Sequence, residues 1–339
     1  MTFRKLLSLL LCPMMLLPLC GCGGAEPAET TAPTTVPETT APESTVPETT
    51  APEGYVPVVD PKTPLSDGKT LKMLCITSSF GLNTTELLYD IAKDQGAENV
   101  IIARLYYSGC KLAQHVDFLT NNTPNYDYTK NSTGKWEKTV GATLLYGLQD
   151  EDWDIIFLQQ GAHHAGLVHT YKDYIDTILD YVCKNKTNPN ARFIWNMTWA
   201  FQQDNDSAIF LTDYQANQMT MYNMILDTTK EKIVPRTDFA AIIPSGTAVQ
   251  NARTSYFGDT LTKDTLHLNN LGRIIAGYTA WATLTGKPIE EINLPPVNSY
   301  DLKEPVVLSD ADKAVIIEAV NNALANPWEV TPSSYPEQP

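Results

Sequence analysis

Cysteine available to the folded part of this chain is scarce. Of six cysteines, Cys12, Cys20 and Cys22 sit within the first 22 residues, leaving Cys75, Cys110 and Cys183. An odd number spread this widely predicts no disulfide framework. Positive charge is short as well: 24 Lys and Arg stand against 39 Asp and Glu, a formal net charge of −15, or −17 without Arg4 and Lys5. A surface this acidic repels phosphate groups, so neither nucleic acid nor anionic lipid is an expected partner. Of the five histidines, His163, His164 and His169 lie one, five and six residues apart. Those offsets do not gather on one helical face, and no HExxH pattern accompanies them. No metal and no cofactor is expected, and the two adjacent histidines read as pocket-lining residues. The apolar run Leu6–Leu17 falls short of the roughly 20 residues that span a bilayer.

What is there begins with an export signal. Arg4 and Lys5 precede the apolar run, which closes on Leu19-Cys20-Gly21-Cys22. This pattern resembles the lipobox of bacterial lipoproteins. The resemblance implies that residues 1–21 are a signal peptide and that Cys22 is the lipid-modified first mature residue. The protein would then sit at the cell surface, touching the membrane through that lipid anchor only; an ordinary secretory signal is the alternative. Residues 22–67 read as a disordered linker, in which 35–43 spell TVPETTAPE and 45–53 repeat it. Such a tract has almost nothing to bury and favours extended polyproline II. At about 3.1 Å per residue it holds a domain up to ~100 Å from its anchor. Residues 68–326 are long enough for one α/β domain with a large core. The polar, Pro-rich 327–339 is expected to be a flexible tail.

Within 68–326, short apolar runs alternate with amphipathic stretches. Strands are predicted at Leu71–Thr77, Val100–Tyr106, Asp154–Leu158, Arg192–Trp195 and Phe239–Ile243. Helices are predicted at Asn83–Gln95, Leu112–Leu119, Tyr171–Cys183, Ala208–Thr229 and Leu268–Leu284, with an insertion or hairpin in 120–140. Apolar strands separated by helices imply a central parallel sheet covered on both faces, a three-layer α/β/α sandwich of flavodoxin-like type. Functional groups in such sheets collect beyond the carboxyl ends of the strands. Ser79 follows the first strand, Ser108-Gly109 the second, Gln159-Gln160-Gly161 the third and Asn196–Trp199 the fourth.

Asp264-Thr265-Leu266-His267 stands directly before the last predicted helix. A serine hydroxyl is a poor nucleophile until an imidazole takes its proton, and that imidazole needs a third group to orient it. An Asp-x-x-His segment supplies base and orienter together. With Ile76-Thr77-Ser78-Ser79-Phe80, Tyr107-Ser108-Gly109, Trp153 to Gly161 and Ile243 to Ala248, this segment resembles the blocks of SGNH/GDSL-type hydrolases, most closely the DUF4886 branch. The resemblance covers most of 70–285. It implies a serine hydrolase domain with Ser79 as nucleophile, His267 as base and Asp264 as its orienter. It further implies an oxyanion hole built from Ser79, Gly109 and a glutamine of the third block, Gln160 in preference to Gln159. Thr77 departs from the pattern, standing where the first block has glycine.

The expected activity is carboxylic-ester hydrolysis, with an acylated glycan or another small-acyl ester as substrate. Gln159, His163, His164 and Trp199 are the candidate substrate-binding residues. A lipase or thioesterase is a further possibility on the same chemistry. A non-catalytic carbohydrate-binding or cell-surface protein on the same fold is the alternative, and Thr77 is the feature that favours it.

Overall fold

A computed structural model describes residues 64–297 and 305–337. The export signal, Cys22 and nearly all of the linker lie outside the described residues. β1 (Thr70–Thr77) leads into α1 (Ser79–Thr85) and α2 (Leu88–Asp94). β2 (Asn99–Tyr106) is followed by α3 (Leu112–Asn121), the strands β3 (Tyr126–Asn131) and β4 (Trp136–Ala142), and α4 (Leu144–Gln149). Next come β5 (Ile155–Leu158), α5 (Tyr174–Asn185), β6 (Arg192–Asn196), α6 (Ala208–Thr212) and α7 (Gln218–Lys232). β7 (Phe239–Ile243), α8 (Ser245–Arg253), α9 (Asn270–Thr285) and α10 (Asp310–Ala325) complete the order.

The strands form one seven-stranded sheet in the order β4-β3-β2-β1-β5-β6-β7. β2, β1, β5, β6 and β7 are parallel, while β3 and β4 form an antiparallel hairpin on the β2 edge. Without the hairpin, the strand order is the 2-1-3-4-5 of flavodoxin-like folds. β1 is central, and from Met73 to Thr77 every residue is buried, because helices cover both faces of a parallel sheet. One helical layer gathers α1, α2, α8, α9 and α10; α3, α4 and α5 pack together in the other. Register aligns the carboxyl ends: Thr77 pairs with Tyr106, Ile76 with Leu158, and Asn196 with Ile243. That edge carries the site.

Several elements differ from expectation. The first helix starts at Ser79 rather than Asn83 and is broken at Glu86-Leu87, where the Glu86 carboxylate turns inward to Arg104 at 2.7 Å. The helix predicted over 208–229 is interrupted by Gln215 and Ala216, at φ 57° and 51°. The domain begins before residue 68: the Leu65 and Ser66 N–H groups donate to the Leu284 carbonyl at 2.7 and 2.9 Å. Residues 327–337 are not a flexible tail. The Tyr256 N–H donates to the Tyr335 carbonyl at 2.9 Å, Thr331 N–H to Asn251 at 2.8 Å, and Ser334 N–H to the Glu318 carboxylate at 3.0 Å. Trp328, Val330 and Tyr335 pack on the core, which the segment's polar composition concealed.

Candidate active site

Ser79 is the first residue of α1, just past β1, and Ser78 before it is extended at φ −111° and ψ −165°. Its hydroxyl lies 2.9 Å from His267 Nε2. His267 Nδ1 lies 2.8 Å from Asp264 Oδ2. Donation of Nδ1–H to the carboxylate leaves Nε2 as the acceptor for the Ser79 O–H, the tautomer a general base requires. Asp264 Oδ1 also accepts the backbone N–H of His267 at 2.7 Å and of Leu266 at 3.3 Å. Partial burial pushes the Asp264 carboxyl up. The His267 backbone N–H, the His267 ring and the Leu266 N–H outweigh it and hold the carboxyl below its usual value.

The Asp-x-x-His turn is fixed from beneath. The Leu268 N–H donates to Asn83 Oδ1 at 2.9 Å, and the Trp199 indole N–H donates to the Leu266 carbonyl at 3.0 Å. Trp199 stacks on Phe80 at 4.1 Å, and Phe80 meets the His267 ring edge-on at 6.0 Å. Trp199 is fully buried. It is therefore not the pocket aromatic expected from its place after β6; it supports the Asp264–His267 turn and contacts no open surface.

The two glutamines after β5 also sit differently from expectation. Gln159 is buried below the Ser78-Ser79 turn, donating to Ser78 Oγ at 3.1 Å and accepting from Asn196 Nδ2 at 3.2 Å. Asn196 in turn donates to Thr84 Oγ1 at 3.3 Å and accepts from Ser245 Oγ at 2.7 Å. This network joins the ends of four parallel strands and removes Gln159 from substrate contact. Gln160 is equally buried. Its Oε1 accepts the N–H groups of Leu112 (3.0 Å) and Gly161 (2.9 Å), and its Nε2 donates to Thr170 Oγ1 at 3.1 Å. Its amide thus ties the Gly109 loop to the β5 loop, which is not the free oxyanion donor that the family resemblance implied. Strand-end alternation cannot show which neighbour each glutamine meets.

Gly109 lies in the exposed turn after β2, at φ +62°, a left-handed conformation suited to glycine. The Tyr107 N–H, bonded to the Thr77 carbonyl at 3.3 Å, places this turn beside the end of β1. His163 is half-buried, edge-on to Phe201 at 5.1 Å. Phe201 in turn meets Phe80 edge-on at 6.1 Å, and burial, first among the causes, lowers the His163 pKa. His164 is pushed down to about 4, by burial first and by Lys111 next. Thr77 ends β1 in register with Tyr106, so an ordinary strand residue occupies the position where the resemblance led to an expectation of glycine. Among the described residues no group of three or more His, Cys, Asp or Glu side chains could hold a metal ion, and no helix is long and apolar enough to cross a membrane.

Fold and site together define a flavodoxin-like α/β protein with an assembled Ser-His-Asp constellation at its sheet edge. The model of the family described as "Domain of unknown function (DUF4886)" matches residues 72–311. The chain belongs to that family. A DUF4886 family protein from Bacteroides uniformis, solved as a crystal structure, is 31% identical with a TM-score of 0.69; the match covers 78% of this chain and 98% of that one. A candidate SGNH hydrolase from Slackia heliotrinireducens is 17% identical at a TM-score of 0.41, over 64% of this chain and 100% of that one. A candidate GDSL-like lipase from Parabacteroides merdae is 14% identical at 0.40, over 67% and 99%. No curated protein matches the chain.

Proposed function

We propose that the protein is a serine-dependent carboxylic-ester hydrolase that removes small acyl groups, acetyl above all, from an extracellular glycan. The observation that carries this reading is the pair of contacts at His267: 2.9 Å to Ser79 Oγ and 2.8 Å to Asp264. His267 takes the Ser79 proton as Oγ attacks the ester carbonyl, and Asp264 stabilises the imidazolium that forms. In this reading the backbone N–H groups of Ser79 and Gly109 are the donors assigned to the developing oxyanion; one such donor contributes about 3 kcal/mol, roughly a hundredfold or more in rate. His267 then returns the proton to the departing alkoxide. Water, activated by the same imidazole, releases the acid and regenerates Ser79.

The glycan assignment rests on family analogy and on the N-terminus. Lipid attachment at Cys22, followed by the Thr/Pro/Glu tract, suits an enzyme tethered at the cell surface that works on a polymer outside the cell. Membrane contact is through that lipid only. His163 and His164 are the substrate-facing candidates that remain.

The deciding measurement is acetate release from p-nitrophenyl acetate and from acetylated xylan by the protein and its Ser79→Ala variant. Turnover lost in Ser79→Ala, and faster on acetyl than on butyryl esters, is expected. Equal rates in both proteins would remove Ser79 as nucleophile; rates rising with acyl length would turn the assignment toward a lipase or thioesterase.

A further inference from the structure

Thr265, between the catalytic Asp264 and His267, has φ +64°. A β-branched residue rarely adopts the left-handed region, and it stays there only when its surroundings over-determine it. Those surroundings are specific. The loop tip is closed by the Lys263 N–H donating to the His267 carbonyl at 2.9 Å and by the bridge between Thr262 and Leu268. From the segment after β6, the Gln202 N–H donates to the Thr265 carbonyl at 2.8 Å. The Asn205 amide Nδ2 donates to Thr265 Oγ1 at 2.8 Å. Asn205 is itself held, because its Oδ1 accepts the Ser207 N–H at 3.0 Å, which fixes the orientation of the amide. Gln202 and Gln203 are secured in turn, since Gln202 Oε1 accepts from Thr262 Oγ1 and the Gln203 N–H donates to Asp259 at 2.8 Å.

We propose that Asn205 is a positioning residue for the triad: with Gln202 it clamps Thr265 in the left-handed conformation that turns Asp264 Oδ2 onto His267 Nδ1. The inference rests on the hydrolase reading of Ser79, His267 and Asp264. Its physical content is that the turn is preorganised by a strained residue and a clamp supplied from another loop. Released, Thr265 relaxes toward negative φ. The peptide planes on either side rotate, and the carboxylate moves away from the imidazole. Misplacement on that scale reduces the chemical step by roughly tenfold to a hundredfold.

Two substitutions at one position separate strain from mere loss of a contact. Thr265→Val and Thr265→Gly both delete the hydroxyl that Asn205 holds. Valine still resists positive φ, whereas glycine adopts it freely. The expectation is that kcat for p-nitrophenyl acetate falls about tenfold or more in Thr265→Val with KM little changed. Thr265→Gly retains several-fold more activity than Thr265→Val, and Asn205→Ala regains most of its loss when combined with Thr265→Gly. A structural role alone predicts the reverse ranking, with glycine the worse of the two. Equal kcat in the valine and glycine variants, or no recovery in the double variant, overturns the clamp.

The low-field proton resonance of the His267 Nδ1–H···Asp264 bond gives a second readout that needs no turnover. It is expected in the native protein and in Thr265→Gly and lost in Thr265→Val. If the native protein hydrolyses no ester, the hydrolase reading fails while this resonance still decides the clamp: its persistence in Thr265→Val overturns it.

Discussion

At position 81 a Cβ would lie 1.9 Å from Thr77 Oγ1, 2.9 Å from Phe157 Cε1 and 3.0 Å from Gln159 Oε1. The space next to the Ser79 turn is therefore occupied by the Thr77 side chain, and Gly81 makes room for it. Thr77 Oγ1 is held by donating to the Ser78 carbonyl at 3.0 Å, so it does not swing aside freely. Gly81→Ala is predicted to destabilise the protein by about 1–3 kcal/mol through overpacking, and to lower kcat more than KM rises because Ser79 is two residues away. Adding Thr77→Ala recovers part of both losses, the Phe157 and Gln159 contacts accounting for the rest. Denaturant midpoints and ester turnover of the three variants check this; a Gly81→Ala protein as stable as the parent would show that the turn is looser than its packing indicates. Residues of this kind separate what the sequence makes legible from what it hides. That Ser79, Asp264 and His267 come together is legible because a serine just after the first strand and a local Asp-x-x-His spacing constrain geometry on their own. Trp199, Gln159 and Gln160 are misread because a side chain's direction beyond a strand end is set by what packs there. The left-handed Thr265 has no sequence signal at all, since threonine is among the last residues expected at positive φ.

Elements were legible in proportion to their hydrophobic pattern. The five parallel strands stand out as apolar runs, and the 120–140 stretch is indeed a hairpin, β3 and β4. Helix breaks were hidden because they depend on tertiary partners, and the break after α1 is the clearest case. There Glu86 meets Arg104 of β2 at 2.7 Å, both side chains no more than 4% exposed. The same guanidinium donates to Thr129 of β3 at 3.1 Å and lies 3.4 Å from the ring centre of Trp136 of β4. The Trp136 indole N–H donates back to the Glu86 carbonyl at 3.3 Å. Burial lowers the Arg104 pKa, and Glu86 opposes that shift. One buried cation thus fastens the helix break, the second strand and the added hairpin. Removing a single partner of such a pair leaves an uncompensated charge, so Glu86→Ala should reduce stability by roughly 3–5 kcal/mol. Replacing both, as Glu86→Leu with Arg104→Met, should restore much of it. Urea unfolding followed by tryptophan fluorescence measures the difference. A Glu86→Ala protein as stable as the parent would mean that Arg104 is neutralised by other means.

For the molecule as a whole, the acid side of the stability profile follows from groups that the fold keeps in one protonation state. The Asp264, Asp312, Glu318 and Asp150 carboxyls are each pushed up by burial and then drawn below their usual values by hydrogen bonds. Their contribution is complete above the unfolded carboxylate pKa near 4 and is lost as pH falls through the lowered folded values. His115 acts earlier in the descent. It is fully buried on α3, its Nδ1 is 2.7 Å from the Tyr126 hydroxyl and 3.5 Å from Cys110 Sγ, and burial pushes its pKa down to about 3. Tyr126 and Cys110 are both pushed up by burial, so neither supplies a charge to hold an imidazolium. As pH falls below about 6.5 the unfolded chain takes up a proton at this histidine that the folded protein refuses, and stability therefore falls with pH across that interval. From pH 7 to pH 5 the single group accounts for about 2 kcal/mol, and His163 and His164, also lowered, add in the same direction. His115→Gln, which keeps an acceptor for the Tyr126 hydroxyl but has no proton to gain, should shrink the pH 7 to pH 5 fall in urea stability by about that amount. An undiminished fall in the variant would place the acid sensitivity elsewhere. A diminished one would show that the buried imidazole beside Cys110, rather than His267, sets the pH at which the fold begins to yield.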